Sequence, residues 1–175
     1  MKKTNKITLC AIMSALAVVI MLTSYFPYLT YAIPAIAGLC VMAVLIEIGA
    51  KWAFLTYISS SALVFLFAEM ESKFIYVFLF GYYPIIKYLI EKINKPFFEW
   101  IIKLAVCNGA VLLIYGVFSK VFAIPMDDFG EYMQYGVAVL LILANVVFVV
   151  YDIAVARMSS VYLNLLHPKL KKFLK

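Results

Sequence analysis

Residues 7–26, ITLCAIMSALAVVIMLTSYF, contain no charged side chain. A helix needs about 20 predominantly apolar residues to cross the hydrocarbon core of a bilayer, and this run supplies them. The preceding segment, Met1-Lys-Lys-Thr-Asn-Lys6, gives it the look of a signal peptide. The apolar run is longer than a usual signal core, however, and no A-x-A cleavage site closes it, so a retained first helix is expected. Pro27 then ends it, because proline cannot continue the backbone ladder.

The rest of the chain has the same character. Hydrophobic residues make up 67% of the 175 and charged residues 14%, against about 45–50% and about 25% in soluble domains. Such a chain has too few polar groups to cover itself in water. A soluble globular enzyme, a disordered protein and a secreted disulfide scaffold are excluded. Six spans would take about 120 residues and leave about 55 for ends and loops, which leaves no room for an extramembrane domain.

Apolar runs read against charges and prolines predict six membrane helices. They cover Ile7–Phe26, Ala32–Gly49, Ala50–Ala68, Phe74–Ile93, Ile101–Phe118 and Met133–Ala156. Pro34 falls in the first turn of the second, where its missing N–H costs nothing; Lys95-Pro96 separates the fourth from the fifth. The expected fold is an all-α, six-helix bundle, one integral membrane domain over residues 1–175. The charges orient it. Of the 15 Lys and Arg, only Lys73 and Lys120 fall on the side that carries Glu69, Glu71, Asp127, Asp128 and Glu131. By the positive-inside rule both termini are expected in the cytoplasm of a multi-pass cell-membrane protein. The net charge of +6 is therefore read as a topology signal rather than as a nucleic-acid footprint. The longest connection, Ser119–Tyr132, is acidic and external, and is the one segment large enough to act as a lid.

Polar groups at mid-depth are costly unless partnered, so they are the places to look for function. Ser59, Ser60 and Ser61, Asn108 and Asn145 are expected at similar depth, facing Gly81-Tyr82-Tyr83-Pro84. Pro84 cannot donate to the Phe80 carbonyl, so the fourth helix is expected to kink and free an acceptor. With Tyr132 at the mouth, Ser60, Tyr82, Tyr83, Asn108 and Asn145 form a candidate substrate pocket; the competing reading is plain interhelical bonding. Tyr25, Tyr28, Tyr31, Tyr132 and Tyr135 mark the external interface, either as an aromatic belt or as a mouth that stacks on a ring-containing ligand. Glu47 with Lys51, Lys87 with Glu91 and Glu99 with Lys103 are i,i+4 pairs, expected as local ion pairs at the membrane surface rather than as a proton relay.

Enzyme motifs are absent. Asp152-Ile-Ala-Val-Ala-Arg157 has the spacing that opens the CDP-alcohol phosphotransferase motif, but Ile153 replaces its glycine and no acidic residue follows Asp152. Cys10, Cys40 and Cys107 lie in apolar runs and the single histidine, His167, is in the tail, so neither metal nor cofactor is expected. The first helix carries a different signal: Ala11, Ser14, Ala15 and Ala17 form a small-residue patch on which another helix can approach closely, either one of the bundle's own or that of a partner protein.

Length, six spans with both ends inside, the Ala11-x-x-x-Ala15 patch and the basic cytoplasmic face together resemble the substrate-binding S components of energy-coupling factor transporters. The resemblance covers the whole chain and is architectural. It implies a non-enzymatic subunit that binds a vitamin or trace nutrient from outside. It also implies Ala11, Ser14 and Ala15 as the face that meets a membrane coupling subunit driven by paired ATPases. Rod-shape membrane proteins of cell-wall synthesis share this size and topology, so a structural or assembly role in the cell envelope is the alternative. An autonomous channel or secondary transporter is weaker, since no membrane-embedded acid that could couple to protons is expected and no inverted repeat is visible.

Overall fold

The computed structural model describes residues 3–26, 29–121, 133–165 and 167–168. Among these there is no strand; the chain is a bundle of α1 (Lys3–Leu22, extended by a 3₁₀ turn over Thr23–Tyr25), α2 (Ala32–Ile48), α3 (Ala50–Phe67), α4 (Met70–Ile75), α5 (Tyr83–Glu91), α6 (Pro96–Val121) and α7 (Met133–Leu165), with a π-helical turn, Tyr76–Phe80, joining α4 to α5. Five stretches are long and apolar enough to cross a membrane, namely Lys3–Tyr25, Ala50–Phe67, Met70–Glu91, Pro96–Val117 and Leu141–Leu165. The remaining apolar helix, α2, is shorter at 17 residues. Large apolar side chains face outward on every long helix, for example Leu66, Leu113, Ile142 and Val150. An outer surface of this kind belongs in lipid rather than in water.

Helix α2 is the centre of the packing. It touches α1 and α3 on one side and α5, the π turn and α7 on the other. Its buried residues include Ala37, Gly38, Val41 and Val44, and their small size lets neighbours approach from all round. The turn to α3 is a single residue. Gly49 has φ 95°, a left-handed conformation that costs glycine nothing, and it reverses the chain within one position.

The fourth predicted span is the one that departs from a plain helix. It begins at Met70, where Glu69 caps it by accepting from the Ser72 amide at 3.4 Å and the Ser72 hydroxyl at 2.9 Å, and it breaks at Gly81-Tyr82. Pro84 lies in the first turn of α5, as its missing N–H requires. Upstream, the Gly81 amide reaches the Tyr76 carbonyl at 2.7 Å, a five-residue spacing. Side chains take up carbonyls along the bulge: Tyr57 Oη donates to Val77 O and Tyr82 Oη to Phe78 O, each at 2.7 Å. Gly38 of α2 presses on the same place, since a Cβ there would lie 2.6 Å from the Phe80 carbonyl oxygen.

Several boundaries differ from the sequence expectation: α1 begins at Lys3 rather than Ile7 and the fourth span at Met70 rather than Phe74. Helix α6 starts at Pro96 rather than Ile101, because proline is well placed at a first helical position. Helix α7 runs on past Ala156 to Leu165; Arg157 is exposed and so no obstacle to the backbone ladder.

Candidate functional site

Of the described polar residues expected at mid-depth, only Asn108 and Asn145 bond to one another. Ser60 is fully buried; its hydroxyl donates to Tyr57 O at 3.1 Å and lies 2.8 Å from Tyr76 Oη. Asn145 of α7 donates from Nδ2 to Asn108 Oδ1 of α6 at 2.9 Å. Tyr82 bonds within its own segment and lines an open, largely apolar groove of about 470 Å³ with Tyr57, Phe78, Ala105, Gly109 and Leu113. Tyr83 points elsewhere, toward Asp152. The structure therefore does not gather Ser60, Tyr82, Tyr83, Asn108 and Asn145 into one chamber. Tyr132, Tyr28 and the loop segment 122–132 lie outside the described residues. At the acidic end Tyr25 donates to Phe67 O at 3.0 Å and Tyr31 to Glu71 Oε2 at 3.2 Å. The Glu71 carboxylate holds the Tyr31 phenol above its usual range, so it stays a donor.

On α1 the four small residues part company, Ala17 being fully buried in the bundle. Ala11 and Ala15, four apart, are exposed together with Ile12, Leu16 and Val19. Ser14 is buried against α3, 3.3 Å from Thr56 O and 2.7 Å from Ser59 Oγ. A helix turns about 100° per residue, so Ser14, one position before Ala15, lies well round the axis from it. Ser14 thus fastens α1 to α3, while Ala11 and Ala15 face out of the bundle.

The most elaborate polar arrangement joins residues of three helices that local spacing does not pair. Asp152 of α7 is 5% exposed, and its carboxylate collects Tyr83 and Lys87 from α5 and Lys103 from α6. Lys87 also donates to the Asp152 carbonyl at 3.0 Å. Glu91 closes the set, its Oε1 lying 3.2 Å from Lys87 Nζ and 3.1 Å from Lys103 Nζ. The two lysine side chains are 7% and 5% exposed and that of Glu91 45%. Two cations and two carboxylates balance, as buried charges must. The chain turn that allows this is Lys92–Lys95, in which Asn94 adopts φ 54°, a conformation asparagine tolerates. It folds α6 back so that Lys103 meets Glu91.

Two expectations are corrected here. Lys103 pairs with Glu91 and Asp152 rather than with Glu99, because α6 turns it into the bundle. Glu47 pairs with no local lysine: its side chain is 4% exposed and accepts from Tyr162 Oη at 3.1 Å, with His167 Nδ1 3.0 Å away. These contacts tie the far end of α7 to the end of α2. Lys87 with Glu91 does form, but it is sunk into the bundle rather than lying on the surface. Among the described residues no group of three His, Cys, Asp or Glu side chains is placed to hold a metal ion.

By fold and site the chain is an all-helical, apolar-surfaced membrane bundle with a buried ionic cluster near its basic end. Neither a protein-family model, nor a curated protein, nor a solved structure matches it.

Proposed function

We propose that this is a six-span membrane protein with both ends in the cytoplasm, and that it serves as the ligand-binding subunit of an importer of the energy-coupling factor type. The sixth span in this reading is α2. Its 17 residues extend about 26 Å, close to the hydrocarbon thickness of about 30 Å, and its burial at the centre of the bundle spares it from matching the lipid. The exposed Lys51, Lys92, Lys95 and Arg157 at one end, with Glu69 and Glu71 at the other, support the orientation.

The observation that carries the reading is the outward pair Ala11 and Ala15. Small residues four apart on a lipid-exposed face bring little lipid contact of their own but let a second helix lie close. The chain purified from its own host should then retain a larger membrane partner and ATPases in native mass spectrometry, and Ala11→Trp with Ala15→Trp should strip them away. A protein that holds no partner before substitution sinks the importer reading.

A second reading, a non-transporting assembly protein of the envelope, is favoured by the mutual bonding of Ser60 with Tyr76 and of Asn108 with Asn145. Those contacts hold helices together and occupy the Ser60 and Tyr76 hydroxyls, Asn108 Oδ1 and Asn145 Nδ2, while Asn145 Oδ1 is buried without a partner. The same mass spectrum separates the two, since recovery of cell-wall or division proteins without a small ligand selects the second.

A further inference from the structure

The ionic cluster contains one member unlike the others. Lys87, Lys103 and Asp152 are each at least nine-tenths buried, whereas Glu91 is half exposed. Without Glu91 the buried three carry one uncompensated positive charge, a costly condition in a medium of low polarity. Glu91 supplies the missing anion through a single oxygen, Oε1, which both ammonium groups share at 3.2 and 3.1 Å.

Its place in the helix is unfavourable. Glu91 is the last residue of α5, where the carbonyl ends of the helix disfavour a negative charge. Water reaches the carboxylate, so little but the two lysines holds it in place. The neighbouring turn is basic: Lys92 sits over the Tyr88 ring at 4.4 Å and Lys95 over that of Phe98 at 5.8 Å. Exposed Phe97 and Phe98 follow directly, at the level where aromatic side chains meet lipid headgroups. Lys103 is pre-set as well, its ammonium held 5.5 Å from the centre of the Trp100 ring.

We propose that Lys87 and Lys103 form a binding site for a phosphate-class oxyanion, and that the Glu91 carboxylate is an internal stand-in which the incoming anion displaces. A phosphate oxygen at the position of Glu91 Oε1 receives the same two ammonium donors, and Glu91, released, turns into water. Basic pockets between membrane helices take lipid phosphates in this way, and a soluble phosphate ester offers identical chemistry. The site does not depend on the importer reading, since it uses neither α1 nor a coupling partner.

The test compares the full chain with Glu91→Gln in nanodiscs of phosphatidylcholine, following thermal unfolding. Inorganic phosphate is added against chloride at equal ionic strength; separately, part of the neutral lipid is replaced by phosphatidylglycerol. Glu91→Gln removes the competitor, so its apparent affinity for the added anion should rise about tenfold or more over the parent, the worth of one charge-assisted bond. Response to phosphate identifies a soluble ligand, and response to phosphatidylglycerol alone identifies a lipid headgroup. The double variant Glu91→Gln with Lys103→Met leaves the balanced Lys87–Asp152 pair, and should fold without responding. Should Glu91→Gln unfold in neutral discs, refolding on either addition supports the site. No response or rescue by either anion, or an equal response from the double variant, overturns it.

Discussion

Two regions of the bundle bury polar side chains, and they do so differently. At mid-depth, Asn145 meets Asn108 and Ser60 meets Tyr76 through neutral bonds between pairs of helices. Nearer the basic end, Asp152 draws donors from both α5 and α6, with Glu91 as the one exposed partner. Neutral pairs of this sort are individually weak and tolerate loss. A charge-balanced cluster is different, because removing any one member leaves another charge buried without compensation.

The comparison is broken first at Asp152. Asp152→Ala leaves two buried lysines against one half-exposed carboxylate, and should cost about 3–5 kcal/mol, read by thermal unfolding in detergent. Lys87→Met with Asp152→Leu leaves the Lys103–Glu91 pair in balance, and most of that loss should return. If the double variant is no better than the single, charge balance is not what holds this end together.

Gly38→Ala should have the next largest effect. Its methyl group would lie 2.6 Å from the Phe80 carbonyl oxygen and 2.9 Å from Tyr151 Oη. The backbone at the π bulge has to shift, at about 1–3 kcal/mol. An unchanged melting temperature would mean that α2 does not press on the kink.

Asn108→Ala with Asn145→Ala, taken as a double-mutant cycle, should show a coupling of about 0.6 kcal/mol, the average for interhelical bonds in a membrane protein. A coupling as large as the Asp152 effect would erase the distinction between the two regions. Smallest of all, Ala11→Trp with Ala15→Trp should leave unfolding unchanged, because both positions already face outward, while abolishing any partner contact made through α1. A large loss of stability there would place these alanines in the bundle's own packing.

Much of the scaffold is legible in the sequence. Pro34 lies in the first turn of α2 as the sequence indicates and the break expected near Pro84 is present, whereas Pro96, which reads as a breaker, begins α6. The depth of the ionic cluster is not legible. Local spacing makes Lys87 and Glu91 one more surface pair and sets Asp152 in a stretch that only partly matches an enzyme motif, because nothing local to α7 announces that two lysines from other helices will face it. Ser14 was grouped with Ala11 and Ala15 by residue size, though its hydroxyl is spent on α3. A signal for the cluster did exist: Lys87, Lys103 and Asp152 each interrupt an otherwise apolar run, and isolated charges in such runs tend to face inward and pair.

The amino-acid sequence by itself determined that the chain is helical, apolar-surfaced and divided by charge into a basic and an acidic end. Those properties rest on composition and on backbone bonds four residues apart, which need no knowledge of the rest of the fold. Only the tertiary structure decided which polar groups meet. Asp152 and Lys103 are 49 residues apart and Glu47 and His167 are 120 apart, and which of them come together depends on how each helix is rotated about its axis. That rotation is set by packing around α2 and the kink at Gly81, where contacts from several helices must be satisfied at once.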